Sequence, residues 1–444
     1  MHDKQQFSNS LFRTISRAAN VALAMAFVLA LTMILTQAAQ AQTYKVIYNF
    51  TGGADGSAPY AGLTMDKAGN LYGTTSFGGA FGNGAVFKLT PKGSGWVLTP
   101  LYSFQGGSDG VYPTARVIFG PDGSLYGTTQ SGGVGQCRTN GFVGCGTVFN
   151  LRPQPRACTT ALCPWTETVL YRFTGGSDGA VPIGDLVFDQ PGAIYGATLY
   201  GGLPADCQGR GCGVVYKLAR SNGSWAETAL YSFTGGSDGG HPGGGVIFDQ
   251  VGNLYGVASD GGASSCDSGD SSHCGTVYQL APSGSGWAEN TIFDFSTCCV
   301  LYPVGGLVFD AYGNLYGASY ASPNPFGNKF VPGSVYEIQN SNNNWIQVFD
   351  ISLLYLNPAA GVTMDAAGDL YGVANDDGER FDDGVAYELP ASNGFAFTPL
   401  YAFSGGNDGG SPQGTVLLDA NGDLYGTASE GGAHGAGVVW EITP

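Results

Sequence analysis

Beyond residue 41 the chain consists of short apolar runs separated by clusters of glycine, aspartate and asparagine, and no stretch keeps a 3.6-residue helical period. The runs recur in a fixed order. First comes a nearly continuous apolar run ending in aspartate, such as "GVIFD" at 245–249 or "GLVFD" at 306–310, which predicts a strand buried on both faces. A turn of the form D-x-x-G-N/D follows, and its glycine supplies the positive φ that a short hairpin requires. The second run is "NLYGTT" and its relatives. The third is "GAVFKL", "GTVYQL" or "GVVWEI", where the aromatic and the last aliphatic residue share one face and a polar residue takes the other. A fourth runs from a tryptophan through "LYSF". Four strands per unit are predicted.

Aligning the units on "LYG" or "IYG" centres them on Tyr72, Tyr126, Tyr195, Tyr255, Tyr316, Tyr371 and Tyr425. A proline stands thirteen residues before each tyrosine, from Pro59 to Pro412, and a glycine three residues before each. Six residues before, six of the seven units carry aspartate, and Gly120 is the exception. Seven four-stranded units predict an all-β, seven-bladed β-propeller over residues 42–444. The last unit stops at its third strand, "VVWEITP", while "YKVIYNF" at 44–50 is a fourth strand without a unit. Pairing the two closes the ring and covers both edges.

Between blades the chain repeats "LYSFTGGSDG", with the aspartate at Asp55, Asp109, Asp178, Asp238 and Asp408. Glycines permit the reversal and the carboxylate can accept backbone N–H bonds, so a turn cap is favoured over calcium binding or catalysis. The combination of GGSDG, LYG and GxVFKL over residues 45–444 resembles the choice-of-anchor tandem repeat family called GloVer repeats. That resemblance implies an exported bacterial repeat protein, often carried with varied surface-sorting tails. It implies no established activity and supplies no catalytic residues. This sequence carries no sorting tail after Pro444, which favours release, or retention by other means, over surface anchoring.

Residues 1–41 read as a signal peptide: Lys4, Arg13 and Arg17 precede the apolar run "VALAMAFVLALTMIL", and "AQA" follows at 39–41. The mature chain then holds 14 Lys+Arg against 33 Asp+Glu, a charge of −19 that argues against nucleic acid and anionic lipid partners. No membrane span is expected in it. Eight of the ten cysteines fall in close pairs, Cys137/Cys145, Cys158/Cys163, Cys207/Cys212 and Cys266/Cys274, and Cys298 and Cys299 are adjacent. Loop-stapling disulfides in a secreted protein, extracellular or periplasmic, are the natural reading.

The loops between blades and those between second and third strands should share one face, and binding is expected there. Two residues after each proline the chain is always small, from Ala61 to Gly414, where inner strands converge on the axis. One position later Arg116 in the second blade neighbours Asp185 in the third. The pair could orient a polar ligand, and a plain interblade ion pair is favoured. His241, His273 and His434 lie in loops of this face, and His241 joins the candidate ligand set. Tyr60, Tyr112, Tyr200 and Phe81 do not recur between units and are the aromatics best placed to meet a glycan. The loop holding Asp376, Asp377, Asp382 and Asp383 is a weak calcium candidate without EF-hand spacing, and a solvated loop is favoured. No catalytic motif stands in a usable context and no cofactor is expected. The sequence thus predicts an exported, monomeric, non-enzymatic scaffold for a carbohydrate or protein ligand. A polysaccharide hydrolase or lyase and a structural envelope protein are the alternatives.

Overall fold

The computed structural model describes residues 42–153, 165–203, 207–262, 275–295, 302–320, 322–323, 330–331, 333–341, 344–352, 356–375 and 382–444. In the first blade the strands Thr64–Met65, Leu71–Thr75, Ala85–Lys92 and Gly95–Ser103 pair antiparallel in that order, from axis to rim. The third blade repeats the order with Ala180–Phe188, Ile194–Tyr200, Val214–Ser221 and Ser224–Ser232. Seven such sheets form a closed β-propeller, the unit Tyr44–Thr443. In the last blade the inner segments Gly410–Pro412 and Leu417–Leu418 are followed by Leu424–Glu430, Val438–Thr443 and then Thr43–Asn49 from the other end of the chain. The ring closes as the offset of the repeats predicts.

The repeated residues pack blade on blade. The glycine of each "LYG" lies under the aromatic of the third strand: a Cβ on Gly256 would come within 2.3 Å of the Tyr278 hydroxyl, and one on Gly426 within 2.1 Å of Trp440. That aromatic in turn meets the ring ending the previous blade, as in Phe104–Phe149 at 5.2 Å and Phe233–Tyr278 at 4.9 Å. At the closure Phe50 and Phe87 sit 5.1 Å apart. All of these rings are almost fully buried. Aromatic contacts of this edge-to-face kind each add about 1 kcal/mol to the burial of their area. The glycine opening each third strand is pressed against the next blade's proline. A Cβ on Gly146 would reach Pro182 Cδ at 2.4 Å, and one on Gly437 would reach Pro59 Cδ at 2.5 Å.

The GGSDG aspartate is a turn cap. Asp238 Oδ2 accepts from Tyr231 OH at 2.9 Å and Thr234 N at 2.8 Å, while Oδ1 accepts from the Thr234 hydroxyl at 2.5 Å. Asp55, Asp178 and Asp408 accept the same three bonds. Burial first, and then the nearby carboxylate, pushes Tyr48 and Tyr401 up to about 12, so both remain neutral donors. On the opposite face Asp66 Oδ1 accepts from Ala68 N and Asn70 N, each at 2.9 Å, and Oδ2 accepts from Tyr72 OH at 3.0 Å. Where Gly120 replaces the aspartate, Asp122 takes over and accepts from Ser124 N and Tyr126 OH, each at 3.1 Å. No helix among the described residues is long and apolar enough to cross a membrane.

Candidate functional site

Small residues let the inner strands converge. A Cβ on Gly184 would come within 1.9 Å of Gly245 N, one on Gly305 within 2.0 Å of Gly361 N, and one on Gly414 within 2.3 Å of Gly62 N. Bulk there would force the blades apart. Around this collar lies an axial cavity of about 900 Å³, lined on one side by Tyr60, Tyr112, Gln130, Arg116 and Asp185. Four of the residues singled out in the sequence therefore line one cavity.

Arg116 and Asp185 are joined across the blade boundary. Arg116 Nη2 stands 2.6 Å from Asp185 Oδ2, and Arg116 N donates to Oδ1 at 3.2 Å. Their side chains are 29% and 34% exposed, so the pair faces the cavity and remains in contact with water. Arg116 Nε is buried and makes no hydrogen bond to any described residue. Nε itself is out of a ligand's reach, and it is the partly exposed Nη groups that keep donor capacity beyond the ion pair. The two tyrosines meet with ring centres 6.4 Å apart. Burial raises both phenols, with Glu430 adding to the effect at Tyr60, so they act as neutral groups.

Two further aromatics, outside the cavity lining, pack behind Tyr112. Phe77 lies 5.1 Å and Phe142 5.9 Å from Tyr112, and they are 6.3 Å from each other. Phe142 sits in a hairpin, Arg138–Thr139 with Phe142–Val143, whose ends are tied by the Cys137–Cys145 disulfide at a Cα–Cα distance of 4.9 Å. The sequence signal was available, because this is the one Phe, Tyr or Trp inside a cysteine-bounded insertion, those at 207–212 and 266–274 having none. Phe77 stands five residues after Tyr72, the position that Tyr200 holds after Tyr195, so the same signal was available for it. Phe81 is 58% exposed and makes none of these ring contacts.

His241 and Tyr200 do not line the cavity. They form a separate cluster in which the His241 and Tyr200 rings are 5.3 Å apart and Arg210 lies 5.6 Å over Tyr200. His241 Nδ1 is 2.5 Å from Asp260 Oδ2. The Cys207–Cys212 disulfide, Cα–Cα 5.3 Å, adjoins this cluster, and His241 N donates to Cys212 O at 2.7 Å. The other six cysteines, Cys158, Cys163, Cys266, Cys274, Cys298 and Cys299, lie outside the described residues, as do His273, Asp376 and Asp377. Asp383 O accepts from Ser411 N at 2.8 Å, and Asp382 is exposed. Among the described residues no three His, Cys, Asp or Glu side chains are grouped as metal ligands would be.

The pattern described as the Gloeobacter/Verrucomicrobia repeat matches residues 32–267 and, overlapping them, 134–352. The chain belongs to that family. In fold, this Gloeobacter/Verrucomicrobia repeat protein is similar to the polysaccharide lyase Uly1, with a TM-score of 0.50 and 11% identity over 92% of this chain and 94% of that one. It is similar too to a protein from Lactobacillus plantarum (TM-score 0.49, 13% identity, 84% and 99% covered). The same holds for an ulvan lyase of family PL25 (TM-score 0.47, 11% identity, 87% and 94% covered). At such identities the likeness is one of fold. No curated protein matches the sequence.

Proposed function

We propose that this repeat protein is an exported binding module that takes a carbohydrate at the mouth of its axial cavity. The observation that carries the reading is a shared lining: Tyr60 and Tyr112, the latter backed by Phe77 and Phe142, in the same cavity as the Arg116–Asp185 pair. Sugar rings present an apolar C–H face and a rim of hydroxyls. Aromatic side chains match the first, and an ion pair with a spare donor and open lone pairs matches the second. Export is supported by the leader-like residues 1–41 and by the two disulfides.

A glycan array followed by calorimetry tests this directly. Tyr112→Ala and Arg116→Ala should each weaken the best ligand by about tenfold or more, as expected of residues central to an interface. Retention of full affinity by both variants would remove the cavity mouth from consideration.

A second reading is favoured by the His241–Asp260 contact, since a carboxylate on Nδ1 fixes the tautomer and leaves Nε2 to act as a base. It calls for turnover. Incubation with polysaccharides should release new chain ends, and His241→Ala should abolish that release. If the wild-type protein releases none, this reading fails and the binding module stands.

A further inference from the structure

On the face of the short D-x-x-G turns the propeller breaks its own symmetry. At five blade junctions an aromatic from the start of an outer strand touches the "LYG" tyrosine of the preceding blade. The pairs are Trp96–Tyr425, Trp165–Tyr72, Trp287–Tyr195, Trp345–Tyr255 and Phe395–Tyr316, all with ring centres 6.0–6.4 Å apart. Trp225 occupies this position in the third blade, but it makes no such contact with Tyr126. A groove of about 430 Å³ opens between them instead, with Pro121 and Pro191 in its lining.

The cause lies in the second blade. With glycine at position 120, the ring of Tyr126 occupies the space an aspartate would fill: a Cβ on Gly120 would stand 2.3 Å from Tyr126 Cε2. Tyr126 donates to Asp122, four residues earlier, whereas Tyr72, Tyr195 and Tyr255 donate to the aspartate six residues earlier.

The groove has a distinctive charge. Lys217 Nζ is 3.6 Å from Asp189 Oδ2, and Arg152 is paired with Asp122 at 3.3 Å. Arg220 lies 5.1 Å over the Trp225 ring, is exposed, and has no carboxylate partner among the described residues. The wider field points the same way. Residues 42–232 carry 12 Lys+Arg against 10 Asp+Glu, whereas residues 233–444 carry 2 against 23. The groove lies in the one arc of this acidic wheel that an anion can approach without strong repulsion.

We propose that this groove is a second binding site, for a saccharide bearing carboxylate or sulfate groups. Arg220 pairs with the anionic group, and the apolar walls around Trp225 and Tyr126 take the C–H face of the ring. Its volume suits one or two sugar units. An acidic peptide is a poorer fit, because the prolines in the lining have no N–H and the short turns offer no strand edge for a peptide backbone. The inference is independent of the ligand proposed for the axial cavity, which shares no lining residue with this groove.

Calorimetry of the mature protein with tetragalacturonate, a sulfated tetrasaccharide and maltotetraose tests it. At least one anionic probe should bind saturably and maltotetraose much more weakly, and 0.5 M salt should weaken the anionic probe by about tenfold. Arg220→Ala should cost about tenfold or more. Gly120→Asp, which restores the residue found in the other six blades, should push Tyr126 into the groove and lower affinity similarly. Tyr112→Ala should leave this affinity within about twofold, since Tyr112 lines the axial cavity and not this groove. The proposal is overturned if neither anionic probe binds, or if binding survives both Arg220→Ala and Gly120→Asp unchanged. Equal binding of maltotetraose, or full displacement by a hexaglutamate peptide at matching concentration, overturns the ligand class.

Discussion

Gly256 and Asp238 show how single positions are fixed by their contacts, Gly256 by a ring on the next strand and Asp238 by donors in its own corner. Tyr278 fills the space a Cβ on Gly256 would need, so Gly256→Ala should cost about 2 kcal/mol through overpacking. Urea unfolding will measure that loss. Asp238→Ala strips the acceptor from three donors in one corner and should cost about 2–3 kcal/mol. Asp382→Ala removes an exposed carboxylate and should stay within about 0.5 kcal/mol of wild type. Equal effects at Asp238 and Asp382 would contradict the capping role. These residues were largely legible in the sequence, because a role repeated in blade after blade leaves a repeated letter. Arg220 repeats nowhere, and its importance comes from neighbours that only folding assembles.

At the level of the strand, the outer elements carry a pH dependence of two signs. Burial, reinforced by Asp109, pushes the Glu167 carboxyl up to about 8, and burial with Asp178 pushes Glu227 up to about 7. Each has a buried Oε1 without a partner among the described residues. The folded protein therefore holds protons that the unfolded chain has released between about pH 5 and 8, so stability falls as pH rises through that window. Asp66 and Asp408 behave oppositely. Burial pushes them up, but the hydrogen bonds they accept outweigh it and hold both below the ordinary value. Their contribution is lost as pH falls below about 4. Thermal stability should peak near pH 5, and Glu167→Gln with Glu227→Gln should flatten the limb between about pH 5 and 8. A melting temperature that climbs steadily from pH 5 to 8 in the wild type would oppose this account. None of this was visible beforehand, because the glutamates of "TETVLY" and "AETALY" look like ordinary outer-strand residues. Their perturbation arises where adjacent blades meet.

Over the whole molecule, the axial site depends on the ring being shut. The axial cavity is lined by residues from the first blade round to the last, Gly62 approaching Gly414 across the closure. The terminal strand Thr43–Asn49 holds that closure through several contacts. Phe50 N donates to Gly437 O at 3.0 Å, and Tyr44 stacks on Tyr401 with ring centres 3.6 Å apart. Closure was readable in the sequence because the offset of the units leaves a spare strand at one end and a missing one at the other. The groove at the second junction was not, since it follows from an aromatic pair that fails to form. The most direct measurement is thermal unfolding of residues 50–444 beside residues 42–444, with and without a synthetic peptide of residues 42–49. A closed wheel predicts a lower melting temperature for the shortened chain and its recovery, in proportion to peptide concentration, when the strand is returned in trans. An unchanged melting temperature for the shortened chain would contradict the closure on which the axial site rests.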